Sequence, residues 1–233
     1  MKCGIILAAG FGKRMKKLST NIPKPLIKIN NKPFLKYSID VFNKLGFDKI
    51  IINVHYKAEK IINYITSLDQ NNIEISDERN CLLDTGGGIK NIFDNFNINQ
   101  ALVINSDVIW NENHIKKFQF MMDTMPTDAN AYLALVSIEN FVGYHEEGDF
   151  IFIDQNNIKR YQRGDSNPLV FIGAQIIERN AFSENEDKSF SINKTWDKCL
   201  KNNKLKGFNF ATKVLHLGTE AALKEYISNE KKI

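Results

Sequence analysis

Residues 2–15 read KCGIILAAGFGKRM, and the chain changes character twice within them. Cys3 to Ala9 is small or apolar without polar alternation, which marks a strand buried on both faces. Gly10 and Gly12 then interrupt the run, and Lys13 and Arg14 follow. Ligands of α/β folds bind in loops at the carboxyl ends of parallel strands. Glycines there allow tight bends and let a ligand approach main-chain N–H groups. Charge beside those N–H groups would make a trap for a polyphosphate.

The surrounding charge supports this reading. From Met1 to Ile39 the basic residues are Lys2, Lys13, Arg14, Lys16, Lys17, Lys24, Lys28, Lys32 and Lys36, and no acid occurs before Asp40. Pro23 and Pro25 stiffen the chain around Lys24, so its ammonium is presented at low entropic cost. Two familiar phosphate loops are nevertheless absent. Met15 stands where GxGxxG needs a third glycine, and there is no GxxxxGK[ST]. A solvated loop in a lysine-rich chain explains the local pattern equally well at this point.

Outward from this loop, strand and helix signals alternate. A helix is predicted over KPFLKYSIDVFNKLG, with Phe34, Tyr37, Val41 and Leu45 on one face and Gly46 as its stop. KIIINV is a second buried strand, AEKIINYITSL a helix, IEISDE a strand, GGIKNIFDNF a short helix, ALVINSD a strand and ENHIKKFQFMM a helix. Such alternation predicts parallel strands with crossover helices on both faces. The later part reads as strands with few helices between them: AYLALVSI, GDFIFID, NIKRY, PLVFIGAQII and KGFNFAT. A hairpin is predicted around Gln155-Asn156-Asn157. A last helix starts after Gly218, with Thr219 as N-cap. The expectation is a three-layer α/β fold on a mostly parallel mixed sheet with an antiparallel C-terminal part. Residues 1–233 form one domain, with a nucleotide-binding half (1–125) and a second half (126–233) that shapes another pocket.

Composition bounds the function. The chain has 233 residues, 43% hydrophobic and 25% charged, enough for a proper core. No apolar run approaches the ~18 residues that span a bilayer, and CGIILAA is too short for a secretory signal. No membrane association and a cytoplasmic location are therefore expected. Cys3, Cys81 and Cys199 are odd in number and far apart, which argues for spare or buried thiols over a disulfide frame or zinc site. The net charge of +4 is modest. A nucleic-acid binder would interleave basic residues with exposed aromatics; the basic cluster instead lies around one glycine loop, which argues against nucleic acid as a partner.

The stretch ILAAGFGKRMKKLSTNIPKPLIKINNKPFLKYSID, Ile6 to Asp40, resembles the signature of the sugar-1-phosphate nucleotidylyltransferases. That signature is an apolar strand, LAAG, G-x-G-x-R-[ML], a spacer, PK-[PA]-[LM], and a KP[LF] helix start. Further along, Asp84-Thr85-Gly86-Gly87-Gly88-Ile89 resembles the ETGGGI of the muramate-type uridylyltransferases, and Ile104 to Ile109 their VNGDVW. Gly148-Asp149-Phe150 matches GDF, and Phe171 to Gln175 is similar to F-x-GIGVY. Leu217-Gly218-Thr219-Glu220 is similar to VGTPE. The match runs in order along nearly the whole chain.

The resemblance implies the nucleotide-diphospho-sugar transferase version of a Rossmann-like fold. It implies attack by a sugar 1-phosphate on the α-phosphorus of a nucleoside triphosphate, with pyrophosphate released. Arg14, Lys24 and Asp107 would be the catalytic residues. Arg14 would hold the triphosphate and leaving group, Lys24 the phosphate oxygens near the reacting centre, and Asp107 a Mg²⁺ ion. Leu7, Ala8, Ala9, Gly10, Gly12, Lys13, Gly86 and Gly87 would lie along the nucleotide. Gly88, Asp149 and Gly173 would lie along the sugar. A hard carboxylate oxygen suits Mg²⁺, although an Asp capping the next helix explains Asp107 without a ligand. The family's second metal-binding Asp is replaced here by His216, a poor Mg²⁺ ligand. His216 then contacts a phosphate or a metal-bound water, binds Mn²⁺ or Co²⁺, or belongs to a site that only binds nucleotide. His55, His114 and His145 have no partner at useful spacing, and Trp110 and Trp196 read as packing.

The closest subgroup by motif is the muramate-1-phosphate uridylyltransferase type of cell-wall recycling, with UTP and N-acetylmuramate 1-phosphate as substrates. Mannose-1-phosphate guanylyltransferase, other nucleotide and sugar-phosphate pairs, and cytidylyltransferases for choline phosphate remain open. So does a non-catalytic nucleotide-sugar-binding protein.

Overall fold

The computed structural model describes residues 1–13, 15, 21–143, 146–183, 187–223 and 226. The chain begins with β1 (Cys3–Leu7), a small hairpin of β2 (Lys28–Ile29) and β3 (Lys32–Pro33), and α1 (Phe34–Lys44). Then come β4 (Lys49–Val54), α2 (Ala58–Thr66), β5 (Ile73–Asp77), α3 (Asp84–Phe96), β6 (Gln100–Asn105), β7 (Val108–Ile109) and α4 (Glu112–Asp123). The second half holds β8 (Ala131–Ser137), β9 (Phe141–Val142), β10 (Phe150–Phe152), β11 (Ile158–Arg160), β12 (Leu169–Glu178), α5 (Ile192–Lys201), β13 (Leu205–Asn209) and β14 (Val214–His216).

β1 lies between β4 and β6 and runs parallel to both, and β5 continues the parallel ladder beyond β4. This is the strand–helix alternation expressed as topology. Side chains of β1 alternate between two cores. Cys3 and Ile5 enter the cluster under α3 and α5, whereas Ile6 joins the cluster under α1, α2 and α4. The architecture is therefore three-layered. Gly46 ends α1 at φ +66°, where a left-handed residue closes a helix at least cost.

β12 joins the two halves. Its last residues pair antiparallel with β6, its first with β10, and β8 runs along its opposite edge throughout. The exchange of neighbour falls at an irregularity between Phe171 and Gln175, where Gly173 adopts φ +80°. β10 and β11 form the expected hairpin, with the Ile153 N–H donating to Asn157 O at 2.8 Å. Thr219 caps the last helix, accepting the Ala222 N–H on its Oγ1 at 3.2 Å.

Two features differ from the sequence reading. The C-terminal part is not wholly antiparallel, because β13 pairs parallel with β8. A helix, α5, also occupies SINKTWDKCL, with Ser191 capping it and Ile192, Thr195, Trp196 and Cys199 buried. Cys3 and Cys199 are free and buried, and burial pushes each thiol up to about 11. Cys81 is free and exposed. Among the described residues no helix is long and apolar enough to cross a membrane.

Candidate active site

The carboxyl ends of β6, β1, β4 and β5 lie side by side and open onto a cavity of about 470 Å³. Its wall includes Leu7, Ala8, Ala9, Gly10, Gly12 and Lys13 from the end of β1 and the loop after it. Lys24 and Asp107 line the same cavity. Of the three candidate catalytic residues, Arg14 lies outside the described residues.

Each part of the loop has a local reason. The Ala8 N–H donates to Asn53 Oδ1 at 2.7 Å, which ties the end of β1 to β4. The Asn53 amide in turn donates to Glu78 Oε1 at 2.9 Å. Gly12 turns at φ +65°, and Met15 drops into a small apolar cluster with Ile29, Phe34 and Leu217. Gly10 faces open space, so nothing stands between the main chain and a ligand. Phe11 sits at the lip, with its ring against those of His55 and Tyr56.

Lys24 begins a short 3-10 turn of Lys24–Leu26, preceded by Pro23 in extended conformation. Its Nζ lies 2.5 Å from Asp107 Oδ2, and both side chains are largely buried. Asp107 follows β6 and is not the cap of the next helix, a role Asn111 fills by accepting the Asn113 and His114 N–H groups. Burial alone would raise the Asp107 pKa. The Lys24 ammonium and the His216 imidazole outweigh it and hold the carboxyl well below the usual carboxylate range. β14 pairs with β7 so that His216 stands opposite Val108. This register brings His216 Nε2 to 3.5 Å from Asp107 Oδ2, with its ring stacked on Phe141.

Asp107 Oδ1 is buried and has no hydrogen-bond partner among the described residues. No group of three or more His, Cys, Asp or Glu able to hold a metal occurs among them either. One hard carboxylate oxygen beside an open cavity fits an ion that draws the rest of its shell from phosphate and water. It does not fit a closed structural site.

The three glycines of residues 86–88 do not line the cavity; Asp84 and Thr85 before them do. A side chain at Gly86 would strike the Phe190 ring, and one at Gly87 the Lys188 carbonyl. Their N–H groups donate to Phe190 O at 2.9 and 3.1 Å, so they are already engaged. Gly88 lies against Glu78 and Asn53, where its missing Cβ leaves room for that buried pair. In this structure the run therefore packs closely against protein.

A second cavity, of about 270 Å³, adjoins the first through Leu7, Thr85 and Asn105. Asp149 and Gly173 line it, together with Arg160 and Trp196, which sequence reasoning did not assign to a site. Asp149 Oδ2 accepts the Phe171 N–H at 2.9 Å. A side chain at Gly173 would meet the Asn105 amide, so this glycine allows Asn105 its place. A third cavity, of about 300 Å³, holds His216 and again touches Asn105 and Gly173. Asn105, Glu78 and Asn53 escaped the sequence reading. The available signal was their position at or just beyond the carboxyl ends of β6, β5 and β4.

His114 is a satisfied core residue. Its Nδ1 accepts the Asn111 N–H at 3.0 Å, so Nε2 carries the proton toward Lys213 O, also at 3.0 Å. Burial lowers its pKa. Trp110 and Trp196 are buried, and the Trp196 N–H donates to Gln175 Oε1. His145 lies outside the described residues.

Comparison with known proteins gives these cavities a context. A 27% identical relative is the N-acetylmuramate alpha-1-phosphate uridylyltransferase of Caulobacter vibrioides, aligned over 95% of this chain and 93% of its own. The D-glycero-alpha-D-manno-heptose 1-phosphate guanylyltransferase of Aneurinibacillus thermoaerophilus is 31% identical over 79% of this chain and 78% of its own. The fold is shared with the inositol-1-phosphate CTP transferase of T. maritima, with TM-score 0.79 at 15% identity over 97% of this chain and 93% of that one. The nucleotidyl transferase family profile matches residues 3–144, which contain the glycine loop, Lys24 and Asp107. The chain belongs to the nucleotidyl transferase family.

Proposed function

We propose that the chain transfers a nucleotidyl group from a nucleoside triphosphate to a sugar 1-phosphate, with UTP and N-acetylmuramate 1-phosphate as the substrates. The acceptor phosphate oxygen bonds to the α-phosphorus, the bond from that phosphorus to the β-phosphate oxygen breaks, and pyrophosphate leaves. The observation that carries the reading is the buried Lys24–Asp107 pair in the wall of the first cavity, which shares Asn105 with the two further cavities.

Cavity polarity supports an orientation for the nucleotide. Lys24 and Asp107 occupy the β1–β6 end, while Asn53, Glu78 and Leu82 line the β4–β5 end. Phosphates belong at the end that carries the Lys24 ammonium and the glycine loop, and the base at the other. No nucleophile of the protein is needed, because both reacting groups are substrates. The chain's task is positioning and electrostatics. Lys24 binds phosphate oxygens beside the reacting phosphorus. Main-chain groups around Gly10 and Gly12 follow the polyphosphate, with Lys13 beside them. Arg14 is assigned the leaving pyrophosphate on the strength of the sequence resemblance. Asp107, through Oδ1, and His216 are the residues that would hold a divalent ion. Mg²⁺ suits the carboxylate, and Mn²⁺ or Co²⁺ suits the imidazole better. When bound, such an ion neutralises charge on the phosphate oxygens. Asp149 and Gly173 belong to the acceptor sugar's side.

The test is a pyrophosphate-release screen of the four ribonucleoside triphosphates against N-acetylmuramate, N-acetylglucosamine, mannose and glucose 1-phosphates. UTP with N-acetylmuramate 1-phosphate is expected to give the highest kcat/KM. Binding of triphosphate with no release for any acceptor would overturn the enzymatic reading.

A further inference from the structure

Only two charged side chains among the described residues line the second cavity, Asp149 and Arg160. Asp149 Oδ2 is turned to the main chain, accepting the Phe171 N–H. Arg160 is held from three sides. Its Nε and Nη2 donate to Asp197 Oδ1 at 3.0 and 2.7 Å, and Nη2 also donates to Asn193 Oδ1 at 2.8 Å. Its guanidinium carbon lies 4.7 Å from the Phe150 ring centre and 5.7 Å from that of Trp196. Nη1 makes no hydrogen bond among the described residues.

This tether is a poor stabilising device. Asp197 is 62% exposed and Arg160 33% exposed, and exposed ion pairs contribute little to folding. What the arrangement does accomplish is orientation. A flexible guanidinium is fixed on two aromatic faces with one N–H₂ group left, which can donate a charge-assisted hydrogen bond to a carboxylate oxygen. That ligand is not the acceptor's own phosphate, which must reach the α-phosphorus beside Lys24 and Asp107 in the first cavity. Arg160 lines the second cavity and not the first.

We propose that Arg160 is a specificity-determining residue that binds a carboxylate carried by the acceptor sugar apart from its phosphate. The proposal rests on the nucleotidyl-transfer reading above and narrows its acceptor to an anionic sugar. N-acetylmuramate 1-phosphate has such a group in its lactyl ether, and N-acetylglucosamine 1-phosphate is the same sugar without it.

The experiment measures kcat/KM for these two acceptors with UTP, in the full chain and in Arg160→Met and Arg160→Lys. UTP binding by calorimetry reports that each variant is folded. The native chain is expected to prefer the carboxylate-bearing sugar. Arg160→Met should shrink that preference about 10- to 100-fold, the range of a hydrogen bond to a charged group. Arg160→Lys, which keeps the charge and loses the planar anchorage on Asp197, Asn193 and the two rings, should fall between. An unchanged ratio in both variants overturns the role of Arg160 and leaves nucleotidyl transfer standing. So does a native chain that turns over only neutral sugar phosphates. A native chain that binds UTP and releases no pyrophosphate with any sugar phosphate overturns both.

Discussion

Lys24 and Asp107 are each other's counter-ion and are largely buried, with side-chain exposures of 11% and 15%. Removing one member leaves the other buried and unpaired, which costs about 3–5 kcal/mol. Asp107→Ala is therefore expected to lower stability by that order as well as to cut pyrophosphate release about 10³-fold. The double variant Lys24→Met/Asp107→Ala should recover stability and stay inactive, which urea unfolding and a turnover assay would separate. Glu78 yields a pH prediction of opposite sign to an ordinary salt bridge. Burial is the largest influence on it and raises its pKa, against the Asn53 amide. The unfolded chain thus ionises Glu78 first, and the folded chain pays for the mismatch as pH rises from the ordinary Glu value through the raised one. Below that window the cost vanishes. The melting temperature of Glu78→Gln should overtake that of the native chain as pH rises from 4 to 8. Asp107 was legible because it ends an apolar run. His216 beside it was legible only as a departure from a motif. The contact depends on β14 pairing with β7, and no local rule sets a register across 108 positions, from Val108 to His216.

At the scale of elements, glycines with different surroundings separate packing from ligand access. A methyl at Gly87 would stand 2.3 Å from the Lys188 carbonyl, and backbone cannot step aside as a side chain can. Gly87→Ala is expected to destabilise by about 2–4 kcal/mol in urea unfolding. Gly10→Ala meets nothing within 4 Å. It should stay within ~1 kcal/mol of native stability and raise the KM for UTP instead. The helices around the first half were legible from their 3.6-residue periodicity, as α1 shows with Phe34, Val41 and Phe42 buried. α5 was not. Its buried face is Ile192, Thr195, Trp196 and Cys199, residue types that favour strands or are poor helix formers. Packing against the sheet overrides that preference. The parallel pairing of β13 with β8 escaped for a related reason, since strand order is a non-local property.

For the whole molecule, the parallel ladder and both flanking layers could be read from alternation alone, because each buried strand must be covered on two sides. The cavities could not, since each collects residues from strands far apart in sequence. Their filling should register globally. UTP with Mg²⁺ at 100 times its dissociation constant adds about 2.7 kcal/mol, which for a chain of this size raises the melting temperature by roughly 5–10 °C. Uridine at the same concentration should give far less, because the Lys24–Asp107 end would stay unfilled. Differential scanning calorimetry checks both.

β12 trades β6 for β10 along one edge at Gly173, so the hairpin of β10 and β11 is carried by the far half of a strand whose near half is fixed to the ladder, and its turn is tied to β13 by the Gly207 N–H donating to Asn156 O at 2.8 Å. On the proposed reading, activation of the donor and choice of the acceptor rest on separate attachments. Substitution at Arg160 would, on that reading, redirect the recipient without touching the strands around the first cavity, whereas lengthening the turn at Gln155–Asn157 would break its bonds to Lys206 and Gly207 of β13. A scaffold divided in this way can diversify its products while its chemistry stands still.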